Sequence, residues 1–448
     1  MHTSKVSGII ASLALFSSGL IPALRADDAD TTAMLCERPW EVVGSASYGY
    51  WARVRIFKDD GTFTTKGSDA ESGKWTIESN SILLTFLDKH IDSISLPLDP
   101  EGVPGADAYG EPTFCTQLPP NPVPPDAGEQ KALADLANAC GDEIVAASGS
   151  NAYGNGFIAA MGKSNFVFAC TRTLAAIPNA AFKTANGNAP VQTGGVSLAV
   201  GRDVACLAAA SGGKPLEFMQ DVDKNAAVGD DVAVLAGTPG QPGVTPFFGK
   251  ILAIHPDHIE INAQYPGDVS GSPIFHLKTG KVVGMATGAM NWIMQASLRQ
   301  GILPVRRYGC RLDNIKGWQN LDWRIFNAQQ AELDKIGQTT DDLESVFRDI
   351  GSKAGIIALG QYKSYAVQVC FEHWKSAQTG KLNEADRKKV DGILLTELKS
   401  ISQADVTAAR PHMSYDYWQR ALAGQQKARD ALDKGLDKLI ARVSDLGP

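Results

Sequence analysis

Residues 261 to 288 read INAQYPGDVSGSPIFHLKTGKVVGMATG, and they set Ser270 between Gly267 and Gly271 with a Ser-Pro pair and an apolar run behind it. A hydroxyl on a glycine-flanked turn has the placement of a nucleophile. Serine is a weak nucleophile alone: it needs a base to take its proton, a group to hold that base, and N–H donors for the oxyanion. The plainer role is that of a turn former, since Gly-Ser-Pro suits a turn without any chemistry.

Other chemistries find less support. Seven histidines and seven cysteines form no HExxH, no CxxC and no Cys/His cluster with ligand spacing, so neither a metal nor any other cofactor is expected. The run GFIAAMGKSN ends in Gly-Lys-Ser, but a phosphate loop needs glycine at the position held by Phe157. A net charge of −7 and a pI near 5.6, with no basic stripe, exclude a nucleic-acid partner.

The elements that would position Ser270 follow from composition and periodicity. With 448 residues, 44% hydrophobic and 20% charged, the chain is long enough for two to three domains. Residues 1–26 carry one Lys and a short apolar stretch before an acidic start, the pattern of a secretory signal peptide, with an uncleaved anchor as the alternative. The mature chain is therefore expected to be exported, periplasmic or extracellular, with no membrane span. Cysteines 36, 115, 140, 170, 206, 310 and 370 would permit disulfides there, and the odd count leaves at least one thiol unpaired within a monomer.

Residues 27–117 alternate in short runs such as WARVRIFKDDGTFTTKG and predict a small antiparallel β domain. Five prolines between 119 and 125 predict an extended linker over 118–130 with few tertiary contacts. Within 131–317, after a short helical entry at EQKALADLANAC, nine apolar runs (NGFIAA, NFVFAC, GVSLAV, DVACLAA, DDVAVLAG, GKILAI, HIEINA, SPIFHL, KVVGMATG) are separated by turn residues. They predict an antiparallel sandwich or barrel pair. Residues 318–448 switch to a 3.6-residue period and predict a helical C-terminal region. There one helix is expected to end at Gly337 and the next to open with threonine caps at Thr339 and Thr340, and Leu422, Leu432, Leu436, Leu439 and Val443 fall near one face. The fold class is mainly β with an α-helical C-terminal region.

The order of runs from 154 to 288 resembles the trypsin-like serine proteases, most closely their bacterial HtrA-like branch. GNGFIAA looks like that family's GSGF strand, RDVACLAA like its DIALL strand, and PGDVSGSPIFHLKTGKVVGMATG like its nucleophile loop with the following hairpin. The resemblance implies a double β-barrel with a site between the barrels, Ser270 as nucleophile, Asp203 as carboxylate and Thr287 lining the cleft. Two departures stand out. Where the family has its histidine, in a T-A-A-H turn, NFVFACTRTLAAI places Arg172, which stays protonated and cannot act as a base. The oxyanion loop also has one extra residue, so Gly267, Asp268 and Val269 precede Ser270, and a carboxylate at Asp268 would repel a developing oxyanion.

The reading that follows is an exported protease homologue without catalysis that binds a peptide or protein, its oligomeric state open. One alternative is an active serine endopeptidase using Ser270 with an unrecognised base. Another is an envelope- or carbohydrate-binding protein acting through Trp40, Trp51 and Trp75 of the N-terminal β domain.

Overall fold

The computed structural model describes residues 26–46, 49–66, 71–99, 102–107, 112–148, 153–177, 180–187, 189–210, 214–237, 242–265, 269–287, 307–351, 362–378 and 382–444. The expected signal peptide, up to residue 25, lies outside them, as do Gly267 and Asp268.

After α1 (Ala26–Glu37), eight strands from β1 (Trp40–Ala46) and β2 (Gly49–Phe57) through to β8 (Pro112–Gln117) close an antiparallel barrel, β1 pairing with both β2 and β8. Alternation explains the closure, because every second residue turns inward and the interior fills with Trp40, Phe63, Trp75, Ile82, Leu84 and Ile94. Trp40 and Trp75 are therefore core, their indole N–H groups donating to Leu35 O and Lys58 O at 3.0 Å, rather than a binding surface. The Trp51 side chain lies outside the described residues.

The proline-rich segment is anchored at its start, while Val123 beyond it stays exposed. Leu118 is buried and donates its N–H to Pro39 O, Pro120 O accepts from Asn262 Nδ2, and the following prolines wall a hollow of about 620 Å³. Across that hollow stands α2 (Ala127–Ala139), started by a reciprocal capping box between Asp126 and Glu129.

Two further barrels follow. In the first, β9 (Ile144–Ser148), β10 (Tyr153–Met161), β11 (Ser164–Ala169), β12 (Ala181–Thr184), β13 (Pro190–Ala199) and β14 (Ala205–Ala210) run in the order β12-β9-β10-β11-β14-β13, and β12 pairing with β13 closes the ring. In the second, β15 (Asp231–Gly237), β16 (Val244–Ile254), β17 (His258–Ile261), β18 (Pro273–His276), β19 (Lys281–Thr287) and β20 (Arg307–Cys310) close in the order β15-β16-β17-β20-β19-β18. Two six-stranded antiparallel barrels follow one another in sequence, the double β-barrel that the resemblance implies. One apolar cluster, with Leu133, Phe157, Phe168, Leu235, Phe275 and Met285, joins them. A short α3 (Thr171–Ala176) follows β11 directly, and α4 (Val222–Asn225) precedes β15.

Strands β9, β12 and β20 were not among the apolar runs. β21 (Trp318–Asn320) adds to the outer edge of β13, so the first residues of the expected helical region belong to the first barrel. Beyond it come α5 (Trp323–Gly351), α6 (Tyr365–Ala377), α7 (Glu384–Ser402), α8 (Ala404–Ala409) and α9 (Asp416–Ser444). Helix α5 runs unbroken through Gly337, contrary to the expected stop. Thr339 and Thr340 do not cap: their hydroxyls donate back to Lys335 O and Ile336 O at 3.1 and 3.0 Å, which satisfies them inside a continuous helix. Phe326, Leu333, Met413, Trp418 and Leu422 share one apolar cluster with Val145, Ile158 and Leu207 of the first barrel, so the helices dock on that barrel. Leu432 and Leu436 of α9 are also buried, while the Leu439 and Val443 side chains lie outside the described residues. All seven cysteines are free thiols.

Candidate functional site

Strand pairing brings the first half of the site together. β11 and β14 are adjacent with Ala169 opposite Ala205, so the residues leaving one strand face those entering the other. Cys170 caps α3, Arg172 is its second residue, and Asp203 precedes β14. Arg172 N donates to Asp203 Oδ1 at 3.1 Å, and its Nε lies 3.1 Å from Oδ2, an ion pair off the line of a hydrogen bond. Asp203 is buried, whereas the Arg172 side chain keeps about a third of its surface. Burial pushes the Asp203 carboxyl above the usual range, opposed by the Arg172 charge and by the N–H groups of Arg172 and Thr171. Burial works against the Arg172 charge as well, yet the Asp203 carboxylate beside it outweighs this and holds the guanidinium above its ordinary value. The two directions disagree. The short distance and the backbone donors decide for a charged pair at neutral pH.

Helix α9 grips the same loop. Asp416 Oδ2 accepts from Gly201 N at 2.8 Å, Arg420 Nη2 donates to Arg202 O at 2.9 Å, and Arg420 Nε holds Asp416 at 2.9 Å. Tyr417 lies between these two side chains in sequence. Burial, then the Asp203 charge, drives its phenol above the ordinary range, which puts it within electrostatic reach of the Arg172–Asp203 pair. Sequence reasoning missed Tyr417, for its partners are more than 200 positions away and no local pattern marks it.

Ser270 sits in a turn closed by Ser272 N donating to Val269 O at 3.1 Å. Asn155 N donates to Ser270 O at 3.0 Å, Gly271 N to Ala286 O at 2.7 Å, and Ala286 N to Ser272 O at 2.8 Å. Gly271 has φ +96°, and a Cβ there would fall 1.9 Å from Asn155 O, so only glycine fits between the turn and β10. Asn155, which sequence reasoning did not single out, spans both barrels by accepting from Gly237 N at 2.8 Å through its side chain. Val269, the residue beside the insertion, is buried in the core of the second barrel. Thr287 is buried with its hydroxyl donating to Tyr308 O at 3.2 Å.

The halves meet. Cys170 Sγ lies 3.6 Å from Ala286 O, the acceptor that holds Gly271, and the neighbour of Asn155, Gly154, faces Thr173 of α3. The Cys170 thiol is driven up by burial and by Asp203, so it is no thiolate nucleophile.

Each described histidine has partners of its own, and none is bonded to Asp203. His276 bonds Asp230 and Thr279 at 3.0 Å, His255 and His258 stack, with His258 on Asp257, His90 stacks on Phe86, and His373 and His412 face Glu397 and Glu332. Arg172 occupies the place beside the carboxylate and cannot accept the Ser270 proton.

No known protein-family profile matches the chain, and no curated protein does. Solved structures do. The chain is similar to Rv3671c from M. tuberculosis H37Rv, a serine-to-alanine mutant in an inactive form, with 22% identity over 43% of this chain and 91% of that one and a TM-score of 0.33. The inactive form of the Rv3671c protease gives 21% identity over 43% and 92%, with a TM-score of 0.32. Deg5 gives 16% identity over 36% and 86%, with a TM-score of 0.31. The assignment of the double barrel stands on its strand order and closure.

Proposed function

We propose that this chain is an exported trypsin-like protease homologue that binds a peptide or protein without cleaving it. The Arg172–Asp203 ion pair carries the reading, because the carboxylate that would orient a base instead neutralises a permanent cation. The retained turn at Ser270, built around Gly271 and Asn155, supports a kept cleft. Export is supported by the pattern of residues 1–26. Among the described residues no helix is long and apolar enough to cross a membrane.

Purified protein incubated with denatured casein tests the reading. Binding without new peptide fragments supports it, and cleavage lost in Ser270→Ala contradicts it in favour of an active endopeptidase. Fractionation of producing cells with N-terminal sequencing tests export: a retained residue 1 in the cytoplasmic fraction would refute it.

A further inference from the structure

Four arginines are almost wholly buried among the described residues: Arg55, Arg307, Arg311 and Arg429. Three of them meet carboxylates, Arg55 with Asp92, Arg311 with Asp223 and Asp313, and Arg429 with Asp405. Arg307 meets none among the described residues. Its Nε and Nη2 both donate to Tyr265 O, at 3.1 and 2.9 Å, its guanidinium lies 5.2 Å over the Tyr265 ring, and no described residue offers Nη1 an acceptor.

The place of this cation matters. Arg307 opens β20 opposite Ile261, its neighbour Tyr308 pairs with Thr287, and Tyr265 stands five residues before Ser270. The Tyr265 phenol is raised chiefly by burial, and it also feels Arg307, Cys170 and Arg172, which ties Arg307 to the junction of the two barrels. Arg172 is already paired with Asp203, whereas Arg307 has no carboxylate partner among the described residues. A desolvated cation without a counter-ion is costly, and a planar guanidinium with a free donor matches a carboxylate.

We propose that Arg307 binds a carboxylate of the peptide ligand beside the Ser270 turn. This rests on the peptide-binding reading above. The carboxylate comes from an acidic side chain or from a free C-terminus, and the probes below separate the two.

The test is calorimetric titration of the full-length protein with three octapeptides: acetylated and amidated (Ala-Glu)4, its (Ala-Gln)4 isostere, and the (Ala-Gln)4 peptide with a free C-terminal acid. The expected result is that a carboxylate peptide binds about tenfold or more tightly than the neutral one, the worth of a charge-assisted pair. Preference for the Glu peptide assigns a side chain, and preference for the free acid assigns the terminus. Arg307→Gln should abolish the preference, and Arg307→Lys, which keeps the charge but loses the fork, should retain only part of it; unfolding midpoints of both establish folding. Equal binding of all three peptides overturns the role of Arg307 and leaves peptide binding standing. Absence of binding by any peptide overturns both, and a preference that survives in folded Arg307→Gln or is undiminished in Arg307→Lys overturns the assignment to Arg307.

Discussion

The two barrels present opposite chemistry at their junction. On the first, Asp203 and Arg172 form an ion pair whose charges reach Tyr417 of α9. On the second, the Ser270 turn has its glycine at φ +96° and its backbone bonds, and Arg307, bonded to Tyr265 O, has no carboxylate among the described residues. On the proposed reading, proton transfer and ligand contact are separable in this fold: the half that would supply a base holds an ion pair, while the half proposed to contact a ligand has a tightly bonded turn and a cation with no carboxylate among the described residues.

The sharpest way to break this comparison is at Gly271. Gly271→Ala places a Cβ 1.9 Å from Asn155 O at a φ that side chains avoid, and both strain and overpacking add to about 3 to 5 kcal/mol of lost stability, read from the urea midpoint. A loss under about 1 kcal/mol would show that the turn is not built as described.

Arg172→Met comes next. It leaves the Asp203 carboxylate buried without its cation, which costs about 2 to 3 kcal/mol at pH 8 once the partial exposure of Arg172 is allowed for. Burial then raises Asp203 opposed mainly by backbone N–H groups, so the folded chain takes up a proton that the unfolded chain, with a carboxyl near 3.9, takes up only at lower pH. That contribution is present at low pH and lost as pH rises through the raised value. The deficit relative to the unaltered protein should therefore shrink from pH 8 to pH 5, and a deficit that grows on acidification would contradict the placement of the pair.

Asp416→Ala should cost about 1 kcal/mol, because it removes the acceptor of Gly201 N and the partner of Arg420. It sharpens the comparison by touching only the first barrel. Hydrogen exchange should quicken at residues 201–203 and stay unchanged at Gly271, and equal change at both would show that the helices do not act selectively.

Much of this architecture is legible in the sequence for physical reasons. Runs such as NFVFAC and DDVAVLAG are long enough and apolar enough to mark β11 and β15. Strands β12 (AFKT) and β20 (RYGC) lack the apolar run that marks the equally short β17 and β18, and β21 hides in a polar Trp-Gln-Asn whose pairing is decided by the edge of β13. Thr339 and Thr340 read as caps because hydroxyls favour helix starts, yet their bonds to Lys335 O and Ile336 O serve a helix interior equally well. Ser270 announces itself through its glycines. Tyr417 and Arg307 do not, since one owes its place to helix docking and the other its interest to a missing partner, and neither leaves a local pattern.

The central claim, that no activated serine exists, is tested most directly by incubating the purified protein with a fluorophosphonate and searching for the adduct on Ser270 by mass spectrometry. The expected result is no adduct, because Arg172 cannot take the hydroxyl proton. Parallel labelling of Arg172→His locates the fault: an adduct there shows that only the base was missing, and its absence shows that the longer loop before Ser270 is disabled too. An adduct on the unaltered protein that vanishes in Ser270→Ala would contradict the account.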